Sequence, residues 1–199
     1  VAVLMMYIAG THPKWLLLGA LGAAAFLLVY TRLMGYAGDR VTAWRHPELD
    51  PGDTGYQILQ SLYAIGSGGL FGLGLGKSRQ KYLYLPFQYN DYIFAIACEE
   101  LGLVGAVGIM VLFALLILRG FWIARQAQTR FSTALAAGLI SLIAVQTILN
   151  LCVVTNLLPS TGIALPFFSY GGTALAVNLG EMGIVLNISR KRTIQEANT

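Results

Sequence analysis

Residues Glu99 to Leu118 read EELGLVGAVGIMVLFALLIL, two adjacent carboxylates followed by 18 uncharged residues. A helix rises about 1.5 Å per residue and the hydrocarbon core of a bilayer is about 30 Å thick. A run of this length spans a membrane once its flanks reach the interface. Three other stretches qualify. Trp15–Thr31 is uncharged and is followed by Arg32, whose long stem can snorkel. Phe131–Leu158 is uncharged for 28 residues, enough for a tilted helix and a dip beyond it. Ile163–Gly180 is uncharged again, and its Pro166 and Gly171-Gly172 move the expected helix start to about Thr173, with its end at Ser189. Over the whole chain of 199 residues, 56% are hydrophobic and 11% are charged. An average soluble domain has about 25% charged residues, so composition selects an integral membrane protein.

The expected fold is an all-α polytopic membrane protein, a single membrane domain over residues 1–199. It has four complete transmembrane helices, a truncated N-terminal one, and a large external loop containing an interfacial amphipathic helix. The opening VAVLMMYIAG is too short to span and has no charged n-region before it, so it reads neither as a complete span nor as a signal peptide. The chain is expected to be the C-terminal part of a longer protein. Cys98 and Cys152 lie in apolar surroundings with no CxxC spacing, as buried free thiols do.

Charge sets the orientation. Arg119, Arg125 and Arg130 fall between two spans without an accompanying acid, Arg190, Lys191 and Arg192 follow the last span, and Lys14 precedes the first. The positive-inside rule makes these three regions cytoplasmic. The loop 35–100 and the connection 156–172 are then external, and the tail 190–199 is internal. The formal net charge of +4 reflects this topology. No basic patch interleaved with aromatics suggests a nucleic-acid partner.

External chemistry is therefore sought in the loop. It opens with GDRVTAWRHPELDPGDTG, and then Tyr56, Leu59, Leu62 and Tyr63 recur at i, i+3, i+6, i+7, as on an amphipathic helix lying along the membrane surface. GLGLGKS follows at Gly72–Ser78. It is not a phosphate-binding loop of the nucleotide type, because Phe71 stands where that pattern needs glycine. Its glycine-freed amides, beside Lys77, Arg79 and Lys81, could still hold an anion such as pyrophosphate; the alternative is a flexible turn with solvated cations.

Asp91 sits between YLPFQYN and the apolar YIFAIAC. Partial desolvation would raise its pKa and suit it to general-base work, while the competing role is a helix N-cap by Asn90 or Asp91. Glu99 and Glu100, being consecutive, point in different directions from a helix. Glu181 lies within the last span, and an ionisable group there is a functional candidate by default. Gln146 and Asn150 share a helix face and are read as interhelical hydrogen-bonding groups. NLLPSTGIALPFFSYGG, Asn156–Gly172, carries no charge and two prolines, which suits a re-entrant segment folded into the bundle.

Three blocks in order resemble one family. DPGDTGYQILQSLYAIGSGGLFGLGLGKSRQKYLYLP is similar to the external loop of the SEDS proteins (shape, elongation, division, sporulation). NDYIFAIACEELGLVG is similar to their acidic signature, and LLPSTGIALPFFSYGG to their late Pro-Thr-Gly and Ser-Tyr-Gly-Gly block. The resemblance covers about Asp50 to Arg190, and the wording of NDYIF and FFSYGGTAL favours the FtsW/SpoVE side over RodA.

The resemblance implies a protein of about ten transmembrane helices. It implies a peptidoglycan glycosyltransferase of the bacterial cytoplasmic membrane that polymerises lipid II with a class B penicillin-binding protein as partner. It places Asp91 at the family's essential acidic position and matches Lys77, Gln80 and Lys81 to the loop cluster. It also matches Glu99 and Glu100 to the EELG pair, and Ser169, Tyr170, Gly171 and Gly172 to the late block. Arg79 joins the expected substrate-binding set as a neighbouring cation. A divalent cation is compatible with a pyrophosphate leaving group, and no ligand set in the sequence designates one. Phe87 departs from the glutamate that often follows the family's Leu-Pro. A lipid-precursor transporter and a non-catalytic scaffold are the rival classes.

Overall fold

The computed structural model describes residues 1–8, 10–33, 43–49, 54–79 and 91–196, so that Gln80, Lys81, Phe87 and Asn90 lie outside the described residues. The described chain is helical, with no strand among the described residues. Its elements are α1 (Ala2–Ile8), α2 (Pro13–Leu33), a 3₁₀ turn (Pro47–Leu49), α3 (Thr54–Ser67), α4 (Ile93–Arg125), α5 (Arg130–Val154) and α6 (Gly172–Glu196). Two of these, α4 and α5, are long and apolar enough to cross a membrane by length and composition; among the described residues the apolar run of α2 is shorter, Pro13–Phe26. α6 continues to Glu196, beyond the expected end at Ser189. Arg, Lys, Gln and Glu are good helix formers, so charge marks the end of the apolar run and not the end of the hydrogen-bonded ladder.

The chain forms two compact units, and α4 and α5 contribute to both. The first comprises Val1–Val29, Phe113–Val145 and Gly172–Thr199. Its core is Ile123 and Ile140 against Val185, with Ile117, Phe121, Leu139, Met182 and Ile188 around them. Next to these, Ala124, Ala136 and Ala137 form a small-residue contact that brings α4 and α5 close. At Gly120 an added Cβ would strike the side chain of Ile140, so the helices meet with no room for one. Thr129 starts α5 by accepting the Ser132 amide on its hydroxyl at 3.1 Å, an N-cap.

The second unit comprises Tyr30–Leu112 and Gln146–Gly171. Here α3 buries Ile58, Ser61 and Ala64, spaced three apart, and Ser61 donates its hydroxyl to Val154 O at 2.7 Å, satisfying a carbonyl at the end of α5. The stripe of Tyr56, Leu59, Leu62 and Tyr63 lies off this buried face, and Tyr63 is 58% exposed. α5 ends at Val154, with Asn156 in the left-handed region and the Leu157 amide turned back to Cys152 O.

The unit's organising feature is a break within α4. Gly102 has φ 70° and ψ −170°, a conformation open essentially to glycine alone. In an uninterrupted helix the Leu103 amide would donate to Glu99 O and the Val104 amide to Glu100 O. The glycine loop after α3 takes both places. Leu103 N donates to Gly69 O at 2.9 Å and Val104 N to Leu70 O at 3.2 Å, while Leu73 N donates to Glu99 O and Gly74 N to Glu100 O, both at 3.0 Å. The four groups orphaned by the break are thus exchanged with the loop. Backbone meets backbone so closely that a Cβ at Gly68 would overlap Cys98 O, and one at Gly72 would overlap Glu100 O.

Gly102→Ala should destabilise the full-length protein by more than about 2 kcal/mol, from backbone strain and the steric conflict with Leu70 and Gly72. Gly66→Ala, at a helical position with nothing within 4 Å of the new methyl, should change stability by no more than about 1 kcal/mol. Thermal unfolding of both variants in detergent checks the contrast.

Candidate active site

Most of the sequence-predicted residues divide into three local settings in the second unit, with Gly172 and Glu181 in the first unit. The first is built on Asp91 and Tyr92, just before α4 begins at Ile93. Tyr92 is buried, and its hydroxyl lies 3.5 Å from Ser160 Oγ. Asn150, near the end of α5 and 1% exposed, uses both amide hydrogens: Nδ2 donates to Asp91 O at 2.7 Å and to Ile163 O at 2.8 Å. A Cβ built at Gly162 would lie 3.6 Å from Asp91 Oδ2, so the carboxylate rests over the Asn156–Gly172 segment at a position with no side chain. Leu165 and Pro166 of the same segment are buried, in keeping with irregular backbone enclosed by protein.

The Asp91 carboxylate is half-buried and makes no hydrogen bond among the described residues. Burial alone raises its pKa above the ordinary 3.8, since desolvation penalises the ionised form. It does not cap α4: the first turn is closed by the Ala95 amide on Tyr92 O. Of the two roles open to Asp91 in the sequence, the N-cap has no hydrogen bond to support it. An uncommitted carboxylate beside a buried, rigid frame can accept a proton from a substrate hydroxyl.

The second setting is the loop on the helix break. Glu99, 1% exposed, accepts the Ser78 hydroxyl at 2.5 Å and the Arg79 amide at 3.0 Å, tying down the backbone between the exposed Lys77 and Arg79. Glu100 points elsewhere, as adjacency required, and its Oε1 is buried with no hydrogen-bond partner among the described residues. Four amides of the loop expected to cradle an anion are committed to carbonyls: Gly72 N to Gly68 O, Leu73 N to Glu99 O, Gly74 N to Glu100 O, and Lys77 N to Gly74 O. The side chains of Lys77 and Arg79 stand exposed beside these committed amides.

The third setting is the late block. Ser169 closes a turn on Leu165, with the Leu165 amide donating to Ser169 Oγ at 2.7 Å and the Ser169 amide to Leu165 O at 3.1 Å. Phe167 within that turn has φ 65°, a strained value for a bulky residue. Tyr170 is 83% exposed, Gly171 is partly buried, and Gly172 begins α6 with nothing within 4 Å of an added Cβ. In the first unit, Glu181 is buried on α6 with Oε2 lacking a partner among the described residues.

Asn150, Ser160 and Gly162 join the Asp91 setting without having been singled out for it. The signal for Asn150 was its place four residues after Gln146 on one face of a lipid-length run, which reads as interhelical hydrogen bonding; the partners it takes are loop carbonyls 59 and 13 residues away.

The chain is similar along nearly its whole length to known proteins. It is 45% identical over 193 residues to the probable peptidoglycan glycosyltransferase FtsW of Geobacter sulfurreducens, covering 96% of this chain and 51% of that one. It is 46% identical over 190 residues to the stage V sporulation protein E of Bacillus subtilis, covering 94% and 51%. A solved chain from a peptidoglycan synthase complex described as coordinating polymerization and crosslinking superposes with a TM-score of 0.73 at 29% identity, over 94% of this chain and 52% of that one. The chain thus spans about half the length of the curated relatives it matches. The FtsW/RodA/SpoVE cell cycle protein model matches residues 1–194, and with these relatives it shows that the chain belongs to that family, on its FtsW/SpoVE side.

Proposed function

We propose that this chain supplies the general base of a peptidoglycan glycosyltransferase that polymerises lipid II outside the bacterial cytoplasmic membrane. The observation that carries the reading is the Asp91 carboxylate: half-buried, raised in pKa, free of hydrogen bonds among the described residues, and seated on the re-entrant segment. The similarity to proteins named peptidoglycan glycosyltransferase supports the reaction class.

In this scheme the acceptor sugar hydroxyl attacks the anomeric carbon of the donor. Its proton passes to Asp91, the new glycosidic bond forms, and the anomeric C–O bond to the lipid pyrophosphate breaks, with the electron pair leaving on the pyrophosphate. The exposed cations Lys77 and Arg79, on backbone held by Glu99, meet the charge that develops on the leaving group; Gln80 and Lys81 follow them directly in sequence. Among the described residues no group of three or more His, Cys, Asp or Glu converges as a metal site, and no step is routed through a metal. We read α2 and α6 as spans alongside α4 and α5, the loop 35–100 and the connection 156–172 as external, and a class B penicillin-binding protein as partner. In that topology the half-exposed stripe of α3 faces the membrane surface.

Asp91→Asn in the full-length protein, purified with its transpeptidase partner, should lower lipid II polymerisation about 10²–10⁴-fold with partner binding retained. A normal rate of glycan formation by that variant would place the base elsewhere. The wild-type rate should fall as pH drops through a value above 3.8, because the base works only when ionised.

Stability should move the other way. A carboxylate whose folded pKa lies above its unfolded one is penalised once pH exceeds the folded value, and carries no penalty below the unfolded value, where both states are protonated. Asp91→Asn removes a group that titrates. Its melting temperature at neutral pH should match or exceed that of wild type, and the gap should close as pH falls below about 4.

A further inference from the structure

Asn150 lies outside the proposed chemistry but touches both segments that build the site. Its side chain is buried at 1% exposure, and its two amide hydrogens end on backbone carbonyls of different segments, Asp91 O at 2.7 Å and Ile163 O at 2.8 Å. Neither carbonyl belongs to the ladder of α5, on which Asn150 stands, and both lie just outside regular structure, where no helix partner is available. Ile163 follows Gly162, and Gly162 is the floor under Asp91 Oδ2. A single amide thus sets the base-bearing residue, the surface beneath its carboxylate and the rigid helix in one frame. The amide orientation is decided by these two acceptors: a flipped Asn150 would set its oxygen against carbonyl oxygens.

We propose that Asn150 is a positioning residue for the reaction, holding the Asp91 backbone against the re-entrant segment so that the carboxylate meets the acceptor hydroxyl at a fixed place. The inference rests on the reading of Asp91 as the base. Asparagine fits the task by size and by donor count. Serine or threonine would offer one hydrogen for two acceptors. Aspartate would set an acceptor against both carbonyls when ionised. Glutamine keeps both donors on a stem longer by one methylene.

The price of releasing the frame is geometric, and displacement of a catalytic group by about 1 Å can cost about 10²-fold in rate. The expected signature is therefore a loss in kcat with KM nearly unchanged, since Asn150 is buried and makes no contact that a substrate could share.

The test uses the full-length protein with its transpeptidase partner and follows polymerisation of the lipid-linked disaccharide by wild type, Asn150→Ala, Asn150→Gln, Asp91→Asn and the Asn150→Ala/Asp91→Asn double variant. Rates are taken per folded molecule, from the monodisperse fraction. Support is a fall of about 10²-fold in kcat for Asn150→Ala with KM within about twofold, partial recovery in Asn150→Gln, and a double variant no slower than Asp91→Asn alone. A wild-type kcat in folded Asn150→Ala overturns the inference, as does a double variant much slower than Asp91→Asn. If Asn150→Ala fails to fold, Asn150→Gln decides by the same kcat and KM criteria. Full activity in Asp91→Asn would instead overturn the reading of Asp91, an outcome distinct from a silent Asn150.

Discussion

The second unit depends on an exchange of four backbone hydrogen bonds at Gly102. A break in an apolar helix leaves two amides and two carbonyls without partners, and each buried unsatisfied group costs on the order of 1–3 kcal/mol. In hydrocarbon there is no water to make up the loss. The glycine loop Gly69–Gly74 resolves this by presenting two carbonyls and two amides in matching order, to Leu103, Val104, Glu99 and Glu100. The solution is available only to glycine where the strands of backbone touch, because a Cβ at Gly68, Gly72 or Gly102 would occupy the space the partner fills. The break and the loop are therefore one feature, and neither is stable in this form without the other.

Placing the break there has consequences for charge. Glu99 and Glu100 stand three and two residues before it, so their carbonyls serve the loop while their side chains diverge. Glu99 reaches Ser78 and the Arg79 amide, and so the same loop that repairs the helix is pinned a second time, next to its exposed cations. Such pinning would lower the entropy lost in the proposed meeting of Lys77 and Arg79 with an anionic leaving group. Asp91 is treated in the opposite manner. Its backbone is held by Asn150, and its carboxylate, in a half-buried place, has no hydrogen bond among the described residues. One acid is satisfied and structural; the other is constrained in position but not in chemistry. That division suits the general-base role proposed for Asp91, since a carboxylate already saturated by donors is a poor base.

Much of this was legible in the chain. Apolar runs flanked by arginines revealed α4 and α5, because the only spans a bilayer tolerates with so few sequence cues are helices, and their period needs no partner to be read. The amphipathic stretch at Tyr56–Tyr63 correctly marked a helix, although the face it buries is the small one, Ile58, Ser61 and Ala64. Asp91 stood out by its place between a polar loop and an apolar segment. The end of α6 was not legible, because the helix runs past its apolar stretch to Glu196 on residues that are good helix formers.

Sequence by itself determined the class of protein, the helical runs, the acids of interest (Asp91, Glu99 and Glu100) and the family, since each rests on local composition or on short ordered motifs. Tertiary structure alone decided which groups are spoken for. The amides of the glycine loop looked available for an anion, yet those of Leu73 and Gly74 are spent on the carbonyls of Glu99 and Glu100. Asn150 looked like glue between helices and instead joins two loops. In each case the deciding partner is a backbone group far away in the chain. Backbone groups are the same at every residue, so no pattern of side chains can announce which carbonyl an amide will meet.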